Sequence, residues 1–193
     1  MRPMTRRHAL WACSAGVTLL LAGCATPSRI DTAAPESVFQ RTGRFAVSVQ
    51  YSDGRQEAVQ GGFAWLDTGR VLTLDLANPL GTTLARVQVQ PDIAVLTRAN
   101  GEQNAASDPD ALVEQVLGSP IPVAGLRYWL RGRAAGAANV QPTLNAAGQP
   151  ESFTQDGWRV ELLRYDQQGP GLVRLNRAEA NRSISVRLVV DAG

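Results

Sequence analysis

Cys24 is the residue whose surroundings most plainly specify a chemistry. It closes Leu21-Ala22-Gly23-Cys24, after an apolar run from Leu10 to Leu21 interrupted by Ser14 and Thr18 and preceded by Arg2, Arg6 and Arg7. A basic start, a short apolar segment and small residues before a cut site are the parts of a secretory signal, and the run is too short to span a bilayer. Ala22 and Gly23 fit a peptidase cleft, and the Cys24 thiol then accepts a diacylglyceryl group. The sequence therefore predicts a lipoprotein, with a signal peptide over 1–23 and lipid carried on Cys24. Thr5-Arg6-Arg7 leaves general and twin-arginine export both open.

The same cut removes the other reactive side chains. His8 is the only histidine and Cys13 the only other cysteine, and both lie in the leader. Residues 24–193 thus offer no Ser-His-Asp triad, no second thiol for a disulfide and no Cys/His metal site, so neither metal nor cofactor is expected. Carboxylate pairs remain the accessible route to acid–base catalysis. Asp53, Glu57, Asp67 and Asp75 lie near turns, but spacing marks no pair among them. We expect a protein that is not an enzyme. Charge adds that nucleic acid is not its partner. The 19 basic residues are all Arg, and without the three in the leader 16 face 17 Asp+Glu, a net charge of −1 instead of +2. No basic surplus is left for a phosphate backbone.

One acyl chain holds a protein to a membrane only marginally, whereas several hold it firmly, at about 0.8 kcal/mol per buried CH2. Ala25 occupies the position where Asp favours retention in the inner membrane, so the expected location is the outer membrane, lipid-anchored and facing the periplasm. Residues 24–37, small, polar and Pro-containing, read as a flexible tether, leaving one domain over 38–193.

The elements that must position any site follow from periodicity. Phe45, Val47, Val49 and Tyr51 alternate on one side of a first strand, and Val59, Gly61, Phe63 and Trp65 on one side of a second. Leu72, Leu74 and Leu76, then Ala85, Val87 and Val89, then the segment 93–98 continue an antiparallel meander with turns at Ser52-Asp53-Gly54, Asp67-Thr68-Gly69, Asn78-Pro79-Leu80-Gly81 and Asn100-Gly101. Gly61-Gly62 inside the second strand suggests a bulge or bend. The period then changes. Ser107 or Asp108 is a helix N-cap, Pro109 suits the first helical position, and Gly118 ends the helix. A second short helix carries Val123, Leu126, Trp129 and Leu130 along one side and stops at Gly132. A short strand at 140–144 and strands at 151–155, 158–165, 172–176 and 183–190 complete the chain. The predicted architecture is mainly β with a helical insertion (α+β). Two short helices cannot fully cover a sheet of this size, which leaves an apolar cavity.

Ordered along the chain are a Gly43-Arg44-Phe45-Ala46 strand, Gly61-x-Phe63-x-Trp65 and Asn78-Pro79-Leu80-Gly81. Then come Pro120-Ile121-Pro122 with Leu126-Arg127-Tyr128-Trp129-Leu130-Arg131-Gly132, Gly157-Trp158-Arg159-Val160 with Tyr165, and Ser183-Ile184-Ser185-Val186-Arg187-Leu188. With the lipobox, this set resembles the LolB family of outer-membrane lipoprotein receptors, over about 43–190. The chain departs from the family's pattern at Val190-Asp191-Ala192-Gly193, where an aromatic segment is expected, and in its Ala/Gly-rich stretch 134–150.

The resemblance implies an unclosed antiparallel β-barrel, a half-barrel of about nine to eleven strands, with helices over an apolar cavity that takes acyl chains. It implies as partners a soluble LolA-like periplasmic carrier, acylated lipoprotein cargo and outer-membrane phospholipid, with the receptor itself a monomer. Hand-over needs no bond-making, only a gradient of affinity. Expected cavity residues are the inward alternates Phe45, Val47, Phe63, Trp65, Leu72, Leu74, Val87, Val95, Leu162 and Leu188, with Leu126 and Trp129 from the helices. A one-residue slip would turn any of these outward. In the family the loop matching Pro79, Leu80 and Gly81 projects an apolar residue toward the membrane; Leu80 alone contributes roughly 1.5–3 kcal/mol on burial. Arg127, Arg131 and Arg133 cluster around the second helix, facing either an acidic carrier rim, phospholipid head groups or solvent. Competing readings are a lipoprotein that binds another lipid, a structural or assembly lipoprotein, and a carboxylate enzyme on cell-wall glycans.

Overall fold

Alternation runs further than the apolar residues alone suggest. In the computed structural model, which describes residues 38–136 and 140–192, the first strand β1 (Phe39–Tyr51) starts four residues before Gly43. From Phe39 to Val49 its odd-numbered residues are buried and its even-numbered ones exposed, so that even Arg41 points inward. The leader 1–23, Cys24 and the tether 24–37 lie outside the described residues.

Strands β2 (Gln56–Asp67), β3 (Leu72–Ala77), β4 (Thr83–Val89), β5 (Ala94–Arg98) and β6 (Gln103–Ala106) follow β1 as an antiparallel meander. Helices α1 (Pro109–Leu117) and α2 (Val123–Trp129) come next. A second meander then runs through β7 (Thr143–Leu144), β8 (Pro150–Gln155), β9 (Trp158–Tyr165), β10 (Pro170–Ala178) and β11 (Arg182–Val190). The two meanders join where β1 pairs with β11, from Gly43 opposite Val190 to Tyr51 opposite Arg182. One eleven-stranded sheet results, with β6 and β7 at its ends and unpaired with each other. This is the unclosed antiparallel sheet expected from the sequence, β6 being a strand that its polar composition concealed.

The helices form as their caps direct. Asp108 accepts from the Asp110 N–H at 2.9 Å, Pro109 opens α1, and Gly118 closes it in the left-handed region at φ 68°. Asp110 also accepts from the Ala124 N–H at 3.1 Å, tying the start of α2 to α1. Within α2, Gly125 is required by packing, since a Cβ there would lie 2.5 Å from the Trp129 indole. Leu112, Val113, Val123, Leu126, Trp129 and Leu130 join the inward residues of the sheet in one core. Among the described residues no helix is long and apolar enough to cross a membrane.

Two expectations are corrected. Val95 faces away from the core, and its neighbours Ala94 and Leu96 are buried in its place. The Pro91-Asp92 turn shifts β5 by one residue, and with a period of two that exchanges its faces. Gly61-Gly62 makes no bulge against β1, where pairing is continuous from Phe39 opposite Asp67 to Gln50 opposite Gln56. Glycine stands at 61 because a Cβ would come 2.0 Å from the Ala77 carbonyl oxygen and 3.0 Å from the Phe45 ring.

Candidate functional site: a clamped apolar pocket and an exposed turn

Where α2 crosses the inner face of the sheet, Phe45, Phe63, Trp65, Leu74, Leu76 and Leu188 from the strands meet Ile121, Leu126 and Leu130 around an apolar pocket. Six of the twelve expected cavity residues line it: Phe45, Phe63, Trp65, Leu74, Leu126 and Leu188. Val47, Leu72, Val87, Trp129 and Leu162 are buried in the core without lining the pocket, and Val95 is on the opposite face. Leu76, Ile121 and Leu130 are additions. Leu76 shares the period of Leu72 and Leu74, and Leu130 continues the stripe of α2, whereas Ile121 lies between two prolines where no period applies.

In this conformation the pocket is nearly closed. Its volume is about 20 Å3, against the roughly 150 Å3 in which a buried apolar cavity holds benzene. The Trp65 Nε1–H on its wall is buried and has no hydrogen-bond partner among the described residues.

Polar bonds add to the apolar packing that holds α2 on the sheet, among them that from the Trp129 Nε1–H to Gln155 at 3.1 Å. Asp67, the last residue of β2, is buried, and both its oxygens accept from the Arg127 fork, Nε at 3.0 Å and Nη2 at 2.8 Å. Arg131 adds a bond at 3.3 Å, and Arg127 also donates to the Gly69 carbonyl at 2.6 Å. Burial pushes the Asp67 carboxyl up, but the bonds from Arg127, the Gly69 N–H and Arg131 outweigh it and hold it below the usual carboxylate range. Arg131 also lies over the Phe39 ring at 4.2 Å. Arg133, the third expected arginine, is exposed and lines a separate pocket with Asp67, Gly69, Arg127, Tyr128 and Arg131, without bonding to Asp67. A second inward bond network lies close by. Buried Arg41 donates to Asp166 at 2.8 Å and to the Pro170 carbonyl at 3.1 Å. Sequence reasoning missed both acid–arginine networks, because an arginine at an inward position reads as the end of a strand and Asp67 reads as a turn residue.

At the far end of β3 from Asp67, the Asn78–Gly81 turn is built to project one side chain. The Asn78 carboxamide accepts from the Leu80 and Thr82 N–H groups at 2.9 and 3.0 Å, and Gly81 takes φ 87°. Leu80, at the tip, is 91% exposed. Among the described residues no group of three or more His, Cys, Asp or Glu is placed to hold a metal ion.

A family model described as "Outer membrane lipoprotein LolB" matches residues 37–192, which takes in the sheet, the helices and the turn. The chain belongs to the LolB family. A relative named outer-membrane lipoprotein LolB, from Bordetella parapertussis, is 54% identical over 189 residues, covering 97% of this chain and 94% of its own. Another of that name, from Cupriavidus necator, is 41% identical over 196 residues, covering 97% and 96%. Among solved structures, a LolA superfamily protein from Nitrosomonas europaea aligns with a TM-score of 0.38 and 8% identity over 80% of this chain and 87% of its own.

Proposed function

We propose that this chain is an outer-membrane lipoprotein receptor, taking acylated lipoproteins from a soluble LolA-like carrier and passing them to the membrane. Residues 1–23 are removed, Cys24 carries the lipid anchor, and residues 24–37 let the domain reach its carrier. The observation that carries the reading is the family match over 37–192, joined to an apolar pocket whose covering helix is held by a few polar bonds.

An acyl chain in water is disfavoured by about 0.8 kcal/mol per CH2, so cargo must move from one apolar enclosure to another. Each tenfold preference of receptor over carrier needs only about 1.4 kcal/mol. A pocket of 20 Å3 accepts no acyl chain until α2 and the 120–122 segment lift, so uptake begins with release of Asp67. Phe45, Phe63, Trp65, Leu74, Leu126 and Leu188 are the first chain contacts, and Val47, Leu72, Val87, Trp129 and Leu162 become available as the core opens. Leu80 then meets the bilayer. The domain acts as a monomer, and phospholipid receives the cargo.

Among the candidate carboxylates for glycan chemistry, hydrogen bonds from the Arg55 N–H and side chain hold Asp53 low, and, although burial opposes it, bonds from Arg127 hold Asp67 low. By contrast, burial pushes Asp110, at the start of α1, up. Asp75 is taken up by Arg86 at 2.6 Å.

Transfer is the test. The carrier loaded with a lipoprotein is mixed with this protein and each is recovered separately. Cargo found on this protein establishes the receptor. Cargo remaining on a carrier that discharges to another acceptor leaves a lipid-binding or structural lipoprotein.

A further inference from the structure

At the foot of the Leu80 turn, on the solvent face of the sheet, lies a concavity of about 350 Å3 lined by Arg44, Gln60, Gly62, Ala77, Asn78 and Pro79 among others. Gly62 keeps it open. A Cβ at that position would meet nothing nearer than the Gly43 carbonyl oxygen at 3.7 Å, so a side chain there would occupy the concavity without a clash. Arg44 is exposed and, among the described residues, forms no ion pair, whereas Arg86 is bound to Asp75 at 2.6 Å. Past Gln60 the surface continues into a groove of about 520 Å3 that holds Arg187. Arg187 stands directly opposite Arg174 in the β10–β11 register, and Arg174 is paired with Glu161 at 3.7 Å, which leaves Arg187 as a second cation on this face without an ion pair among the described residues.

We propose that this concavity seats the phosphate of a membrane phospholipid, with Arg44 as its anchoring residue. The proposal rests on the reading of Leu80 as the membrane-contacting residue and adds the head-group chemistry beside it. Depth supports it. The head-group layer on each side of a bilayer is about 5–8 Å thick. Leu80 stands two residues beyond Asn78, and each extended residue spans at most about 3.6 Å. With the leucine at the hydrocarbon boundary, the foot of the turn lies among phosphates. Leu84, 36% exposed on the outward face of β4, adds a second apolar contact beside the turn. A guanidinium fork matches phosphate oxygens in a two-bond geometry.

The experiment uses the mature lipidated protein in vesicles of phosphatidylethanolamine and phosphatidylglycerol, with an environment-sensitive bimane on Leu80→Cys and quenchers at defined bilayer depths. The acylated Cys24 does not compete for the label. Arg44→Gln should lower lipid quenching about fivefold, the loss expected for one arginine at an anionic surface, and Gly62→Val, which fills the concavity and leaves the charge unchanged, should also lower it. Arg86→Gln should leave quenching at the parent level. Full quenching in both Arg44→Gln and Gly62→Val overturns the phosphate seat while leaving the membrane turn in place. An unquenched probe in the parent chain overturns both. Equal losses for Arg44→Gln and Arg86→Gln overturn the seat in favour of diffuse attraction. Unchanged quenching with impaired loading from the carrier reassigns Arg44 to protein docking.

Discussion

Asp67 and Arg127 face each other across the junction of sheet and helix, with the arginine Nη2 2.8 Å from Oδ1 and its Nε 3.0 Å from Oδ2. These bonds, with the one from Arg131 and the Trp129 Nε1–H bond to Gln155 of β8 at 3.1 Å, are polar fastenings of a helix that otherwise packs through apolar side chains. Asp67→Ala leaves two arginines without their carboxylate. Breaking a buried pair costs about 3–5 kcal/mol, and less here because both guanidinium groups keep contact with water. We expect a lowered Tm, faster amide exchange in α2 and increased binding of an apolar dye. A variant as slow to exchange as the parent would remove Asp67 from control of the pocket.

The acid limb of stability should report the same contacts. Asp67 is held low although burial opposes it, and Asp166 is held low first by the Arg41 side chain. A carboxylate whose folded pKa is depressed contributes stability above its unfolded value near 4, and that contribution disappears as pH falls through the folded pKa. Thermal unfolding followed downward from pH 6 should therefore show Tm falling below about pH 4, more shallowly in Asp67→Asn.

Tyr165 gives the alkaline counterpart. Its hydroxyl donates to the Pro150 carbonyl, and burial pushes it up to about 12 from 10.0. The folded state keeps this proton while the unfolded chain loses it, so stability is present below pH 10 and falls as pH approaches 12. Tyr165→Phe should flatten that limb, as measured by denaturant midpoints across the range.

Leu80 packs against nothing that a mutation would expose. Leu80→Glu should alter unfolding free energy by no more than about 0.5 kcal/mol and leave loading from the carrier intact, yet reduce delivery of cargo to vesicles. Normal delivery would sink the membrane role of the turn.

The face assignment of β5 has a simple check. Leu96→Ala should destabilise by about 2–5 kcal/mol as a buried deletion, whereas Val95→Thr should stay within about 0.5 kcal/mol. The reverse order would restore the register read from sequence.

That register shows where the sequence was legible and where it was not. Long alternating strands such as β1, β2 and β3 carry enough apolar residues to fix their faces, and Asp108, Pro109 and Gly118 each state a local conformation. In 93–98, by contrast, Ile93, Ala94, Val95 and Leu96 are all apolar, and only the turn geometry at Pro91 selects a face. Six pocket residues were identifiable because inward alternation and pocket lining coincide near Phe63 and Trp65. Separating lining from core at Val87 or Leu162 depends on where α2 crosses, which is a three-dimensional relation. The Asp67–Arg127 clamp joins residues 60 positions apart, and neither neighbourhood carries a local signature of the other.

The pairing of β1 with β11 brings Gly43 beside Val190, so the middle of the sheet is stitched from the two ends of the domain. A contact of such sequence separation closes a large loop and slows folding. Each meander can zip locally, but the centre must wait until residues 182–190 are available. Until then two unfinished half-sheets each expose an inner edge whose backbone N–H and C=O groups have no ladder partner.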